Sequence, residues 1–200
     1  MATFINTGLI YKIMASQGEF CYGLKIPKDR IAVLIGKRGK VKKEIEALTD
    51  TKINVNSKEG DVFISGEDAL NLYNAREMVK AISRGFNPEI AKLLLKQDYA
   101  LEILEIEKYA KTNNLERVRG RLIGTGGKAR TTIESMTECY ISIYGKTVSI
   151  IGAVEKVLLA RKALEGLLRG AKHGNIYKWL EKRKKEMMQK EMAGGDAKIG

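Results

Sequence analysis

The sequence predicts an α+β fold built from two tandem units, each a three-stranded sheet with helices on one face, followed by a C-terminal basic helix. Three observations predict it. First, a Gly-x-x-Gly device occurs twice, 88 positions apart, as Val33-Leu34-Ile35-Gly36-Lys37-Arg38-Gly39-Lys40 and Arg121-Leu122-Ile123-Gly124-Thr125-Gly126-Gly127-Lys128. Second, the segments after each device recur in one order. A helical pattern ends in Ile45-Glu46 and Ile133-Glu134; β-branched runs follow at Ile53 to Val55 and Ile141 to Ile143, then at Val62 to Gly66 and Val148 to Gly152. Third, an amphipathic helix closes each copy, with Ala75-Arg76 matching Ala160-Arg161 and Arg84-Gly85 matching Arg169-Gly170. A period of 85–88 residues means tandem domains rather than a solenoid, whose repeats run about 20–50 residues.

Each element has a local reason. Residues 1–17 form an N-terminal extension, with a strand or hairpin around Leu9 to Ile13. Glu19 to Ile26 alternates weakly and reads as a strand, and Pro27 suits the first turn of a helix over 28–35. After the first glycine loop a second helix runs from Lys40 to about Leu48, and Thr49-Asp50-Thr51 turns the chain. Strands at 52–56 and 61–65 are joined by a polar turn containing Gly60. A helix over about 68–83 places Leu72, Ala75, Met78, Val79 and Ile82 on one face. Asn87-Pro88 opens a connecting helix to about Leu95, so the first unit spans 18–86 and the connector 87–97.

The second unit, 98–170, begins at Leu101 to Ile106, a run that suits strand or helix alone and is assigned to strand by its place in the repeat. Helices at 113–123 and 128–136 flank the second glycine loop, and strands at 139–144 and 147–151 and a helix at 153–169 complete the copy. Residues 171–200 carry a basic helix with the only Trp, Trp179, and a frayed end from Ala193. Trp179, Tyr177 and Met187 fall on that helix as packing residues.

Composition narrows the function. The 200 residues carry a net charge of +12 and are 44% hydrophobic, which excludes a wholly disordered chain. No apolar run approaches 18 residues, so no membrane span is expected. Met1 to Gln17 has one Lys and no long apolar stretch, unlike a signal peptide, and the expected location is cytoplasmic. Cys21 and Cys139 lack metal-type spacing and read as reduced thiols. His173 is the only histidine, which removes most general-base and metal arrangements; no enzyme activity, metal or cofactor is expected, and His173 reads as a cap or packing residue.

The charge gathers at the two glycine loops. Lys37, Arg38, Lys40, Lys42 and Lys43 lie within seven residues without an acid; Arg117, Arg119, Arg121, Lys128 and Arg130 lie within fourteen. Such clustering points to a polyanion. Two glycines let the backbone turn sharply and approach another chain closely, and the helix that follows offers free N–H groups and a favourable dipole to phosphate. Gly36, Lys37, Arg38, Gly39 and Lys40 form the first candidate binding set. Gly124, Thr125, Gly126, Gly127 and Lys128, with Arg119, Arg121 and Arg130, form the second. Val33, Ile45, Ile53 and Val55, and Val118, Ile133, Ile141 and Ile143, are candidates for an apolar groove wall beside each loop. A phosphate-gripping rim above an apolar floor fits unstacked single-stranded bases better than a duplex. Gly124 to Ala129 also fits the dinucleotide pattern G-x-G-x-x-A, but a helix precedes it and no acid lies about 20 residues on.

With these loops in β-α-GxxG-α-β-β-α order, residues 18–86 and 98–170 each resemble a type I KH domain, a single-stranded nucleic-acid module. The second loop lacks the usual basic residue between its framing glycines. The pair of units, Glu116-Arg117-Val118-Arg119-Gly120-Arg121 before the second loop, and His173-Gly174-Asn175-Ile176-Tyr177-Lys178-Trp179 after it, resemble the archaeal Dim2-like (Pno/Krr-type) small-subunit ribosome assembly factors. The resemblance implies a non-catalytic protein that binds single-stranded RNA near the 3′ end of small-subunit rRNA. As partners it implies the PIN-domain endonuclease that trims that end and the α subunit of archaeal initiation factor 2. The rival reading is a protein-interaction scaffold that keeps the fold and has only non-specific RNA affinity.

Overall fold

The computed structural model describes residues 10–14, 20–109 and 114–195, with side chains from 20–109 and 114–189. The chain divides into two compact units, Met1–Tyr99 and Ala100–Gly200.

In the first unit the elements follow in the order β1 (Ile10–Met14), β2 (Phe20–Lys25), α1 (Lys28–Ile35), α2 (Lys40–Thr49), β3 (Lys52–Asn56), β4 (Asp61–Gly66) and α3 (Ala69–Ser83). The strands lie in the order β1-β2-β4-β3, each pair antiparallel. The three strands expected from the repeat are thus joined by the N-terminal strand, with Ile13 opposite Cys21. Period-2 alternation aims Leu24, Ile53, Val62 and Ile64 into the core, where they meet Ile31, Leu34 and Ile45 of α1 and α2. The five apolar positions expected along α3 are all buried, at 1% exposure or less. The connector is one helical turn, α4 (Pro88–Ala91), and a 3₁₀ turn over Lys92–Leu95, both packed on α3. Lys92 Nζ fixes the connector to α2 by donating to Glu44 Oε1 at 2.5 Å and also reaches Glu89 Oε1 at 2.8 Å.

The second unit repeats the plan with β5 (Tyr99–Glu105), α5 (Leu115–Ile123), α6 (Lys128–Thr137), β6 (Tyr140–Tyr144), β7 (Thr147–Ala153), α7 (Val154–Leu168) and an added helix, α8 (His173–Gly195). Its sheet has the order β5-β7-β6, so the ambiguous run after Tyr99 is strand. α8 packs on α6 and α7; Ile176 and Leu180 join the core, and Tyr177 and Trp179 pack against it half-buried. Gly166 makes this close approach possible, since a Cβ there would lie 2.6 Å from Ile176 Cδ1. Residues 1–9 and 196–200, within which parts of the predicted N-terminal strand and frayed end fall, lie outside the described residues.

The duplication extends to side-chain contacts. Glu46 Oε1 accepts the Ile53 amide and Glu134 Oε1 the Ile141 amide, both at 2.7 Å, tying the second helix of each unit to the strand after it. Thr49 and Thr137 each return a hydroxyl hydrogen bond to the carbonyl four residues earlier. Each helix then ends on a left-handed non-glycine residue, Asp50 at φ 46° and Glu138 at φ 54°.

Candidate nucleic-acid interface

The two glycine loops have one backbone conformation. Gly36 (φ 70°, ψ 177°) ends α1 and Gly124 (φ 73°, ψ 174°) ends α5. The Gly39 amide donates to Gly36 O and the Gly127 amide to Gly124 O, both at 3.2 Å. Gly39 and Gly127 are left-handed and serve as N-caps for α2 and α6, and neither helix has a side-chain cap. The first-turn N–H groups of both helices therefore lack a side-chain acceptor at the loop, an arrangement that favours an anion.

The glycines in each loop meet different demands. A Cβ on Gly36 would lie 2.5 Å from Val41 Cγ2 and 2.9 Å from Val41 N; one on Gly124 would lie 2.7 Å from both Ala129 Cβ and Ala129 N. Gly39 and Gly127 have open space around them and need glycine only for their dihedrals. Between the framing glycines, Arg38 adopts φ 55°, ψ 29°, which is strained for a residue with a Cβ, and Gly126 occupies the matching place at φ 59°, ψ 23°.

Lys37, Arg38 and Lys40 are exposed, and none takes part in an ion pair among the described residues. Lys43 shares both properties one turn further along α2. Lys42, by contrast, is held by Glu46 at 3.1 Å. In the second copy Thr125 and Lys128 are exposed, while Arg130 pairs with Glu134 at 3.6 Å. Arg119 is half-buried, and its Nε is enclosed without a hydrogen-bond partner among the described residues.

Five predicted site residues have structural positions instead. Arg121 faces its own fold: its Nε donates to Leu167 O at 3.2 Å and its second terminal nitrogen to Ala171 O, closing the end of α7. In the first unit Arg30 does this, donating to Ile82 O at 2.8 Å and Phe86 O at 2.7 Å. Ile45, Ile53, Ile133 and Ile141 are at most 4% exposed and form core, not groove wall. Alternation aims them between sheet and helices, where burying apolar area is most favourable. Val33, Val55, Val118 and Ile143 are half-buried. His173, the first residue of α8, has Nε2 2.9 Å from Arg121 O. Among the described residues no group of three or more His, Cys, Asp or Glu is arranged to hold a metal ion, and no helix is long and apolar enough to cross a membrane.

The order β-α-α-β-β-α, with a Gly-x-x-Gly loop between the first two helices and helices covering the sheet, is the plan of a type I KH domain, here twice in one chain. Residues 22–81 match the KH domain family, and residues 100–185 match the second KH domain of PNO1 proteins, described as "Eukaryotic type KH-domain (KH-domain type I)". A KH domain-containing protein of Methanocaldococcus jannaschii is 48% identical over 169 residues, 82% of this chain and 74% of that one. The RNA-binding protein pno1 of Dictyostelium discoideum is 30% identical over 76% of this chain and 66% of its own length. A chain from the crystal structure of the a/eIF2alpha-aDim2p-rRNA complex of Pyrococcus horikoshii superposes with a TM-score of 0.81 at 47% identity, covering 86% of this chain and 97% of that one. Dim2p from the same organism gives 0.77 at 48% identity over 81% and 98%. The chain belongs to the Dim2/Pno1 family of tandem KH-domain proteins.

Proposed function

We propose that this protein binds single-stranded RNA near the 3′ end of small-subunit rRNA during ribosome assembly, without catalysing a reaction, and does so in the cytoplasm. The observation that carries the reading is the first loop: three exposed, unpaired cations, Lys37, Arg38 and Lys40, on a glycine turn that opens an uncapped helix. In this reading each Gly-x-x-Gly loop holds about four nucleotides by their backbone. The Val33 and Val55 margin, and the Val118 and Ile143 margin, face the bases. Residues 18–86 and 98–170 are the two modules, 87–97 joins them, and 171–200 extends the second. Two modules on one strand raise affinity through effective concentration. The loop cations set the salt dependence.

The relatives support this reading. One matched chain belongs to a complex with rRNA and a/eIF2alpha, and PNO1 of Chaetomium thermophilum is named a pre-rRNA-processing protein. The archaeal initiation factor 2 α subunit is accordingly the first protein partner to test, and the PIN-domain endonuclease acting at the same rRNA end the second. The test is binding of a labelled RNA carrying that 3′ terminus, beside a scrambled strand and the matched duplex, at two salt concentrations. Preference for the terminal sequence, lost in Lys37→Asp with Arg38→Asp while the melt is unchanged, is the expected result. Equal, steeply salt-dependent binding to all three would refute it and leave a basic scaffold.

A further inference from the structure

α8 sorts its charge by face. Ile176 and Leu180 are buried against α6 and α7. Flanking that buried face, Arg183 pairs with Glu186 at 2.7 Å and Lys184 lies 3.8 Å from Glu138. Lys178, Lys182 and Lys185, at i, i+4 and i+7, lie about 180–240° around the helix from Ile176 at 100° per residue. All three are exposed, and none takes part in an ion pair among the described residues. Two acids lie at neighbouring helical positions, Glu181, which is exposed, and Glu186, which Arg183 holds.

The helix that presents these lysines is held firmly. Ile176 fits against Gly166, Ala171 N donates to Gly166 O at 2.9 Å, and Arg121 closes on Ala171 O. Its start also lies beside the second glycine loop: His173 Nε2 is 2.9 Å from the carbonyl of Arg121, three residues before Gly124. From there α8 runs to the far end of α6, where Met187 and Met188 lie with Met136 and Thr137 along one groove. Along α8 from that end, Lys178, Lys182 and Lys185 form a row of exposed cations outside any ion pair among the described residues.

We propose that the outer face of α8 is a second RNA-contact surface, which binds the phosphates of nucleotides lying beyond those held by the second Gly-x-x-Gly loop. This rests on the single-stranded RNA reading above. It accounts for two properties of the molecule together: the lysines are left unpaired where neighbouring cations are paired, and the second loop carries no cation between its glycines.

The test is Lys178→Gln with Lys182→Gln and Lys185→Gln in the full chain. Gln keeps the helix propensity, and all three sites are exposed, so the melt is the check on folding. Affinity is measured against salt for a twelve-nucleotide single strand and for a four-nucleotide strand. Three single-strand phosphate contacts contribute about 2 to the slope of log affinity against log salt. Between 50 and 200 mM salt the unaltered chain should therefore lose about 20-fold more affinity for the long strand than the variant does. The short strand should bind both alike. Lys25→Gln with Lys28→Gln and Lys96→Gln, exposed lysines of the first unit outside its loop and groove residues, removes the same number of charges and should leave the slope nearly unchanged. An unchanged slope in the α8 variant would overturn this proposal alone. Failure of the unaltered chain to bind either strand would overturn the RNA reading and this one with it.

Discussion

Gly36→Ala and Gly39→Ala look alike in sequence but should differ several-fold in stability. At Gly36 the backbone (φ 70°, ψ 177°) lies in a region that is essentially glycine-only, which costs about 1–3 kcal/mol for any other residue. The added methyl would also lie 2.9 Å from the Val41 backbone nitrogen, an atom that cannot swing away as a side chain does. Overpacking of this kind costs about 1–3 kcal/mol more, giving a total near 4 kcal/mol. At Gly39 (φ 77°, ψ 13°) nothing lies within 4 Å of the new Cβ. The left-handed strain of about 1–2 kcal/mol is offset in part by the reduced freedom of the unfolded chain, leaving about 1 kcal/mol. For a unit of this size 1 kcal/mol shifts the melting temperature by about 4–8 °C. Calorimetry should show the first unit's transition moving by at least about 15 °C for Gly36→Ala and by under about 8 °C for Gly39→Ala. Gly124→Ala and Gly127→Ala should repeat the contrast in the second unit, because a Cβ on Gly124 meets Ala129 at 2.7 Å and one on Gly127 meets nothing. Equal losses within a pair would refute the argument that one glycine answers to packing and the other to dihedral angle alone.

Arg38→Gly should separate stability from binding: relief of the left-handed strain raises stability by up to about 1 kcal/mol in urea melts, while affinity for single-stranded RNA falls. A variant that loses stability would show that the arginine conformation is not strained. Glu46→Ala removes the acceptor from a buried-edge amide and should cost about 1.5–3 kcal/mol, with the Ile53 amide exchanging faster with solvent deuterium; Glu134→Ala should act alike on Ile141. Burial pushes the Cys139 thiol up to about 11, so about a thousandth of it is thiolate at pH 8. A thiol reagent at that pH should modify Cys21 in the folded protein and reach Cys139 only after denaturant is added. The Arg161 guanidinium hydrogen bond holds the Glu165 carboxyl below the usual carboxylate range. A folded-state value below the unfolded one means the pair stabilises the second unit above the ordinary carboxylate range and loses that effect as pH falls through the folded value. Glu165→Gln should flatten this acid-side loss in a series of melts against pH.

The loops and the order of elements were legible because they depend on local rules. Glycine pairs, a helix-opening Pro27 and an 88-residue echo need no knowledge of what packs on what. The run after Tyr99 shows how the repeat helps, since its own residues suit helix or strand and only its counterpart decides. What was not legible depends on long-range contacts. Arg121 reaches a carbonyl 50 residues away, and nothing near it in the chain separates it from the cations facing solvent. Alternation tells which face Ile53 and Ile141 occupy but not how deep they lie, so core and groove wall look alike in the sequence. The Ile-Glu pairs were visible as a repeat, yet the use of Glu46 and Glu134 as ties to a strand amide appears only once the strand is beside them.

The arginine clamps carry a consequence for how the two halves differ. Ile82 and Phe86, whose carbonyls Arg30 holds, correspond at the 85-residue offset to Leu167 and Ala171, whose carbonyls Arg121 holds. The arginines do not correspond: at the 88-residue offset Arg30 falls on Val118, and Val33 on Arg121. Arginine and valine have traded places across one helical turn, so the fold retains the two carbonyl targets and not the residue that reaches them. Either substitution alone would leave a unit with no clamp or with two competing cations, whereas the exchange as a whole leaves it intact. The trade also displaces the half-buried valine by about 5 Å along its helix. The two halves are thus not castings from one mould, and a base lying against Val33 in one would have no valine at the same height in the other.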